Sequence, residues 1–491
     1  MASPVEHVIV LMLENRSFDH LLAYSGIPGL NGVDTSKTNP GQRGVNVPMS
    51  NGAPDRMTSD PHHEFEDVDR QMYGAPRGTP QRPMTLDGFV ASSGPDAMLC
   101  VDPARLPVLT ELARQFLVCD NWFSSMPGPT WPNRFFVHAG SSGGLANSPS
   151  SLTTMGSMIW SQLGFSFDNG TLFDALEKAG KTWRVYHGDH FPQVCAIDTM
   201  PAAFVAGRDK FRSFNNFAKD VGAGDVASYT FIEPDYGILS KFRQGNCQHP
   251  AGALSAGEQL IKSVYEAIAG SAQIWSKSML FIVYDEHGGF YDQQSPPPCT
   301  PPGDSPRNAG KAANPPAPPF AFDNYGVRVP AVVVSPLLRP RSISHDTYDH
   351  TSVIRTVYEV LGIPGKLTDR DGTAKSLAPL LLPASQFAAP PSLPGVFSPD
   401  ASAANTPPPN TPPPSMDGFT RIAAQIDHAL QSFAAPMQPF ALQQVLSATP
   451  DIRQVIDLPR SADPNESLSY LERVAARIDA HRIAQGDGPV N

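Results

Sequence analysis

The sequence predicts a doubly wound α/β fold built on a mainly parallel sheet. Three observations predict it. Short apolar, β-branched runs recur without clean alternation, as strands covered on both faces do. Helical patterns fall between those runs. The residues that follow the runs are carboxylates, amides, hydroxyls and imidazoles, and an open α/β sheet binds its ligands beyond the carboxyl ends of its strands.

The expected strands, in order, are His7–Leu13 (HVIVLML), residues 116–119 (FLVC), 182–186 (TWRVY), 279–284 (MLFIVY) and 329–335 (VPAVVVS), with 229–232 (YTFI) as a sixth. Helical patterns occupy residues 172–179, 257–269 and 351–361. Residues 386–415 are rich in Pro, Ala and Ser and read as an extended linker or a surface strap. The chain therefore divides into a catalytic domain over 1–385, a Pro-rich linker over 386–415 and a helical tail over 416–491. In the tail, Asp463, Pro464 and Glu466 form an N-cap, first-turn proline and capping-box pattern, and Leu468, Leu471, Val474, Ala475 and Ile478 follow at helical spacing. The Pro-rich residues 296–319 read as a loose insertion between two strands, the alternative being a lid or a substrate rim.

Composition narrows the function classes. Lys plus Arg number 36 and Asp plus Glu 47, a net charge of −11, which excludes a broad basic face for nucleic acid but leaves room for a local cationic pocket. The five cysteines are scattered and form no CxxC pair, which excludes a dense disulfide framework and a Cys-rich zinc site and leaves a single bridge open. No charged and apolar leader precedes the first strand, so a cytoplasmic location is expected, with export by another route open. No apolar run is long enough to span a bilayer.

The strand ends carry the chemistry. Asp285 and Glu286 are adjacent carboxylates at a buried strand end, and they repel each other unless something positive lies between them. A hard divalent cation is the natural answer, with Glu14 and Asn15 as further oxygen ligands. The alternative is a pair of loop residues facing water or capping a helix. Thr130 precedes Trp131-Pro132-Asn133-Arg134, and Pro132 suits a first helical turn. Thr130 is then either a plain N-cap or a hydroxyl at an anion-favouring helix end. Metal coordination would lower its pKa enough for attack on phosphorus. Asn133 and Arg134 are candidate phosphate ligands, although Arg134 could equally pair with a carboxylate. His62, His63, His187, His249, His287 and His350 supply candidate donors and acids for a phosphoryl pocket, and each taken alone is as well explained as a core histidine.

Seven stretches in one order carry a family resemblance: LENRSFDHLL (13–22), PTWPNRFFVHAGS (129–141), FIEPDYG (231–237), QHP (248–250), IVYDEHGGFYD (282–292), GVRVPAVVVSP (326–336) and YDHTSVIRTV (348–357). Over roughly residues 5–365 the chain resembles the phosphoesterase family. That family holds the non-haemolytic phosphatidylcholine-type phospholipases C of bacteria and plants and a related acid phosphatase. The resemblance implies a fold like that of the alkaline phosphatase and sulfatase superfamily. It implies one divalent metal ion on Glu14, Asn15, Thr130, Asp285 and Glu286, and Thr130 as nucleophile, a position that is Thr in the phospholipases and Ser in the acid phosphatase. His63 matches the histidine of an Asp-Pro-x-His element, here Asp60-Pro61-His62-His63, with His62 the competing neighbour. His187 and His249 match histidines of the phosphate pocket, and His287 and His350 join Asn133 and Arg134 as expected substrate contacts. The chain is expected to lack the export signal of the secreted members and the C-terminal sheet domains of the larger ones. The expected partner is a phosphate-ester or phospholipid substrate, the latter bringing peripheral contact with a membrane surface. The leading reading is phospholipase C-type cleavage. An acid phosphatase acting on monoesters and a catalytically silent phosphate- or lipid-binding protein are the alternatives.

Overall fold

His7 and the six apolar residues that follow it, to Leu13, form strand β1, and every one after His7 is buried. That is what a strand packed on both faces requires. The computed structural model describes residues 3–41, 44–75, 77, 79, 82–150, 164–207, 209–316, 319–398, 416–434, 464–485 and 490.

Two short strands, β2 (Thr38–Pro40) and β3 (Asn46–Pro48), pair as an antiparallel hairpin outside the main sheet. The main sheet is completed by β4 (Leu117–Cys119), β5 (Trp183–His187), β6 (Phe211–Ser213), β7 (Tyr229–Glu233), β8 (Ser278–Tyr284), β9 (Ala331–Val334) and β10 (Ser342–Ser344). Its eight strands run in the order β10-β4-β9-β8-β1-β7-β5-β6. All are parallel except β9, which is antiparallel to both β8 and β4.

All six expected strands form, each within two residues of its expected ends. The sequence reading missed β6 and β10, the two edge strands. Each is only three residues long, and a run that short carries no periodicity to read. The helices Leu172–Lys178, Leu254–Ala269 and Thr351–Leu361 form where expected. The first opens on a capping box between Thr171 and Asp174.

Two segments outside the sheet matter for the site. Residues 386–398 run as a strap over the body. The Phe387 ring lies 4.9 Å from that of Phe116 and 6.3 Å from Trp275. Tyr265 donates to Pro391 O at 2.6 Å and Lys262 to Pro394 O at 2.7 Å. The tail contributes two helices, Met416–Ala434 and Pro464–Ala484, which pack on each other. The expected N-cap Asp463 and residues 399–415 lie outside the described residues.

The 296–319 segment differs from the loose insertion expected of it. Asn308 is fully buried, and its side chain donates to Ser142 O and Ser166 O, both at 3.1 Å. Ala312 bridges Pro149, and Pro298 bridges Asn324. These polar anchors pin a proline-rich chain that has few backbone N–H groups of its own to offer. All five cysteines are free.

Candidate active site

The parallel strands bring their carboxyl ends to one edge of the sheet. There β1 ends at Glu14-Asn15 and β8 at Asp285-Glu286, side by side because the two strands pair along their whole length. The two loops are laced together. Asn15 N donates to Asp285 Oδ1 at 3.0 Å, Glu286 N donates to the same oxygen at 2.7 Å, and Arg16 N donates to Glu286 O at 3.0 Å. Asn15 has φ 58°, a left-handed conformation that Asn tolerates better than most residues. Opposite it, Gly288 has φ 62°, and a Cβ there would lie 2.2 Å from Asn15 O, so the close approach of the two loops requires glycine.

Thr130 is the first residue of the helix Thr130–Ala139, and Pro129 is its N-cap. The Thr130 hydroxyl is therefore not spent on capping. It donates instead to Asn15 Oδ1 at 3.3 Å and is 3% exposed. Glu14-Asn15 and Asp285-Glu286 thus lie on adjacent loops, and Thr130 meets Asn15.

Two expected phosphate ligands are corrected. Asn133 braces the turn before Thr130: its Oδ1 accepts from Met126 N at 3.1 Å, and its Nδ2 lies within 3.2 Å of the carbonyls of Met126, Gly128 and Pro129. Arg134 is a buried cation beneath the carboxylates. Its Nε donates to Asp285 Oδ2 at 3.1 Å, Nη1 to the Tyr236 hydroxyl at 3.0 Å and Nη2 to Met12 O at 3.2 Å, with Glu14 Oε1 at 3.7 Å. The sequence left either partner open to Arg134; in the fold the strand-end carboxylates claim it.

The histidines divide. His63 enters the site: its Nδ1 donates to Pro61 O at 2.7 Å, and its Nε2 lies 3.2 Å from Asn15 Nδ2 and 4.0 Å from Glu286 Oε1. His62 faces outward beside Asp67, its side chain 69% exposed, so the structure separates the two neighbours. His249 lies 3.8 Å from Asp60 Oδ2 and stacks on Phe242 at 4.3 Å. His187 stands apart, with Nδ1 donating to Asp189 O at 2.7 Å and its ring against Phe204. His287 and His350 serve the protein rather than a substrate, which corrects the expectation for both. His287 Nε2 donates to Gln71 Oε1 at 2.7 Å. His350 Nε2 donates to Asp285 O at 2.6 Å, and its Nδ1 accepts from Trp122 at 3.3 Å.

Burial sets the charge balance. It raises Glu14 to about 8 against the pull of Arg134, raises Glu286 to about 7 against that of His63, and raises Asp285 as well. Burial opposes charge on His63, but Glu286 and Asp60 carry its pKa up to about 9. His249, desolvated more than Asp60 compensates, falls to about 4.

Sequence reasoning missed Gln193. It lies in the short turn Gln193–Ala196, which Glu233 holds by accepting from Gln193 N at 2.9 Å and Val194 N at 2.8 Å. Gln193 Nε2 donates to Glu14 Oε1 at 2.9 Å. No strand ends at Gln193, so the rule that led to the other residues passes over it.

The chemistry of the donors suits a hard cation. Glu14 Oε2 and Glu286 Oε1 are buried without a hydrogen-bond partner, and both belong to carboxylates at the ends of the paired strands β1 and β8. Among the described residues, however, no three His, Cys, Asp or Glu side chains converge on one point. Asp285 is already committed to two N–H groups and to Arg134.

A family model described as the phosphoesterase family matches residues 5–364. The chain belongs to that family. This phosphoesterase is 34% identical to non-specific phospholipase C6 of Arabidopsis thaliana over 392 residues, covering 76% of this chain and 71% of that one. It is 32% identical to non-specific phospholipase C3 of the same plant over 403 residues, with coverages of 77% and 73%. It is also 27% identical to the non-hemolytic phospholipase C of Burkholderia pseudomallei over 398 residues, 72% of this chain and 54% of that one. Among solved structures it is similar, at 14% identity and a TM-score of 0.33, to a protein in the alkaline phosphatase superfamily from Vibrio parahaemolyticus, covering 58% of this chain and 66% of that one. The phosphoesterase is a phosphoric ester hydrolase.

Proposed function

We propose that this phosphoesterase cleaves phosphodiesters in the manner of a phospholipase C, with phosphatidylcholine-like lipids as the substrate class and Thr130 as the nucleophile. One observation carries the reading. The Thr130 hydroxyl, free of any capping duty, donates to Asn15 Oδ1, and the neighbouring strand-end carboxylates Glu14 and Glu286 each keep a buried oxygen without a hydrogen-bond partner. The names of the relatives support the substrate class.

A single hard divalent ion held by Glu14, Asn15, Asp285 and Glu286 would neutralise those carboxylates and lower the pKa of the Thr130 hydroxyl. Thr130 releases its hydroxyl proton to solvent, its Oγ1 bonds to phosphorus, and the bond to the leaving oxygen breaks. The proton for that oxygen comes from His63, which lies beside Asn15 and Glu286. Water then cleaves the phosphothreonine and restores the hydroxyl. Arg134 takes no part in binding phosphate; it keeps Glu14 and Asp285 in place.

The test is hydrolysis of phosphatidylcholine and of p-nitrophenyl phosphate by wild type and Thr130→Ala, with bound metal measured in both. Loss of both activities is expected in the variant. Undiminished turnover would remove Thr130 from the reaction, and cleavage of the monoester alone by wild type would make the protein a phosphatase.

A further inference from the structure

The helix Met416–Ala434 lies outside the residues matched by the family model, yet it sits on the candidate site. It packs on the turn that carries Gln193. Its Phe419 ring rests on three aromatic rings, 5.2 Å from Trp131, 5.3 Å from Tyr236 and 6.3 Å from Phe242. Each of those rings adjoins a residue of the candidate site, by chain or by contact. Trp131 follows the nucleophile, Tyr236 accepts from Arg134, and Phe242 stacks on His249. Gly418 makes the seating possible, because a Cβ there would lie 2.1 Å from the Trp131 indole. With the helix in place Phe419 is fully buried, and so are Asn15, Glu286 and Thr130.

Two observations mark this contact as one that opens. The Trp131 Nε1–H is buried at the trough without an acceptor, the kind of donor a phosphate or ester oxygen would satisfy. The helix also buries Gln425, whose Nε2 has no hydrogen-bond partner, whereas Arg421 donates to Ser150 and Asp427 pairs with Arg477. An amide donor and an indole donor buried without acceptors cost free energy that an apolar contact does not incur, so the closed position is held less firmly.

We propose that the trough of Trp131, Tyr236 and Phe242 is the subsite for the apolar leaving group of the substrate, a diacylglycerol, and that Phe419 fills it until the helix Met416–Ala434 is displaced. This rests on the phospholipase C reading. Acyl chains cannot enter the trough while Phe419 is seated in it, and the ring they displace has the same apolar character as the chains. The subsite then binds what the cap leaves behind.

The test uses the full chain and two measurements. Gly418→Val drives the helix off Trp131 and leaves the trough intact. Its kcat/KM for p-nitrophenyl phosphorylcholine, a soluble diester without acyl chains, is expected to rise about tenfold or more, because the competent open state becomes the populated one. In wild type, dihexanoylglycerol is expected to inhibit hydrolysis of that diester and to strip hydrogen-exchange protection from amides of 416–434 while those of β8 keep theirs; glycerol should do neither. An unchanged or lower rate in a folded Gly418→Val protein, or an unaltered exchange pattern with dihexanoylglycerol, would overturn the proposal while the phospholipase reading stood. A wild type that cleaves the monoester but neither diester would overturn both.

Discussion

The Thr130 hydroxyl meets the Asn15 carboxamide at 3.3 Å only because Asn15 holds a left-handed backbone at φ 58°. The contact therefore joins a side-chain function to a backbone strain at one residue. Asn15→Gly and Asn15→Ala should separate the two. Both lose the acceptor and are expected to lose about a hundredfold or more in kcat/KM. Only the alanine variant also carries the strain, so it should be the less stable by about 1 kcal/mol in thermal unfolding. Equal stability would show that the turn relaxes.

Arg134 is the cation that the strand-end carboxylates share. Arg134→Met leaves Asp285 and Glu14 buried without it. The expected loss is about 3–5 kcal/mol in denaturant unfolding near neutral pH. The loss should shrink as pH falls and the carboxyls take up protons, whereas loss of packing alone would be independent of pH.

His138 sits between the rings of Phe173 and Phe231, at 5.3 Å and 4.6 Å. Burial, aided by the nearby Arg134 charge, lowers its pKa to about 3. The folded state thus holds it neutral, while the unfolded chain takes up a proton near 6.5. Its contribution to stability is complete above pH 6.5 and declines as pH falls towards 3, at about 1.4 kcal/mol per pH unit. His138→Phe should flatten that part of the stability–pH curve. An unaltered acid limb would show that His138 is not neutral in the fold.

Phe387 anchors the strap over Phe116 and Trp275. Phe387→Ala should cost about 1–3 kcal/mol, since the ring is only half-buried. No measurable loss of stability in urea would reduce residues 386–398 to a linker lying against the surface.

Much of the candidate site was legible because strand and chemistry adjoin in the chain. Glu14-Asn15 follows His7–Leu13 directly, and Asp285-Glu286 follows β8, so reading the strands located the oxygens. Thr130 was legible through the first-turn proline two residues on. Gln193 was not, because it belongs to a turn fixed by Glu233, forty residues away.

By itself, then, the sequence determined the parallel sheet, the two oxygen-rich pairs at its edge and the threonine opposite them, since each follows from local apolar patterning and immediate neighbours. Tertiary structure alone decided which way the long or ambiguous side chains turned. Arg134 went to Asp285 rather than to phosphate, His63 rather than His62 went inward, and His350 was spent on a backbone carbonyl. It also decided that Phe419, far along the chain, would cover the ring next to Thr130. Such choices depend on which buried charge lacks a partner and which apolar surface lacks a cover, and those are known only once distant segments have met.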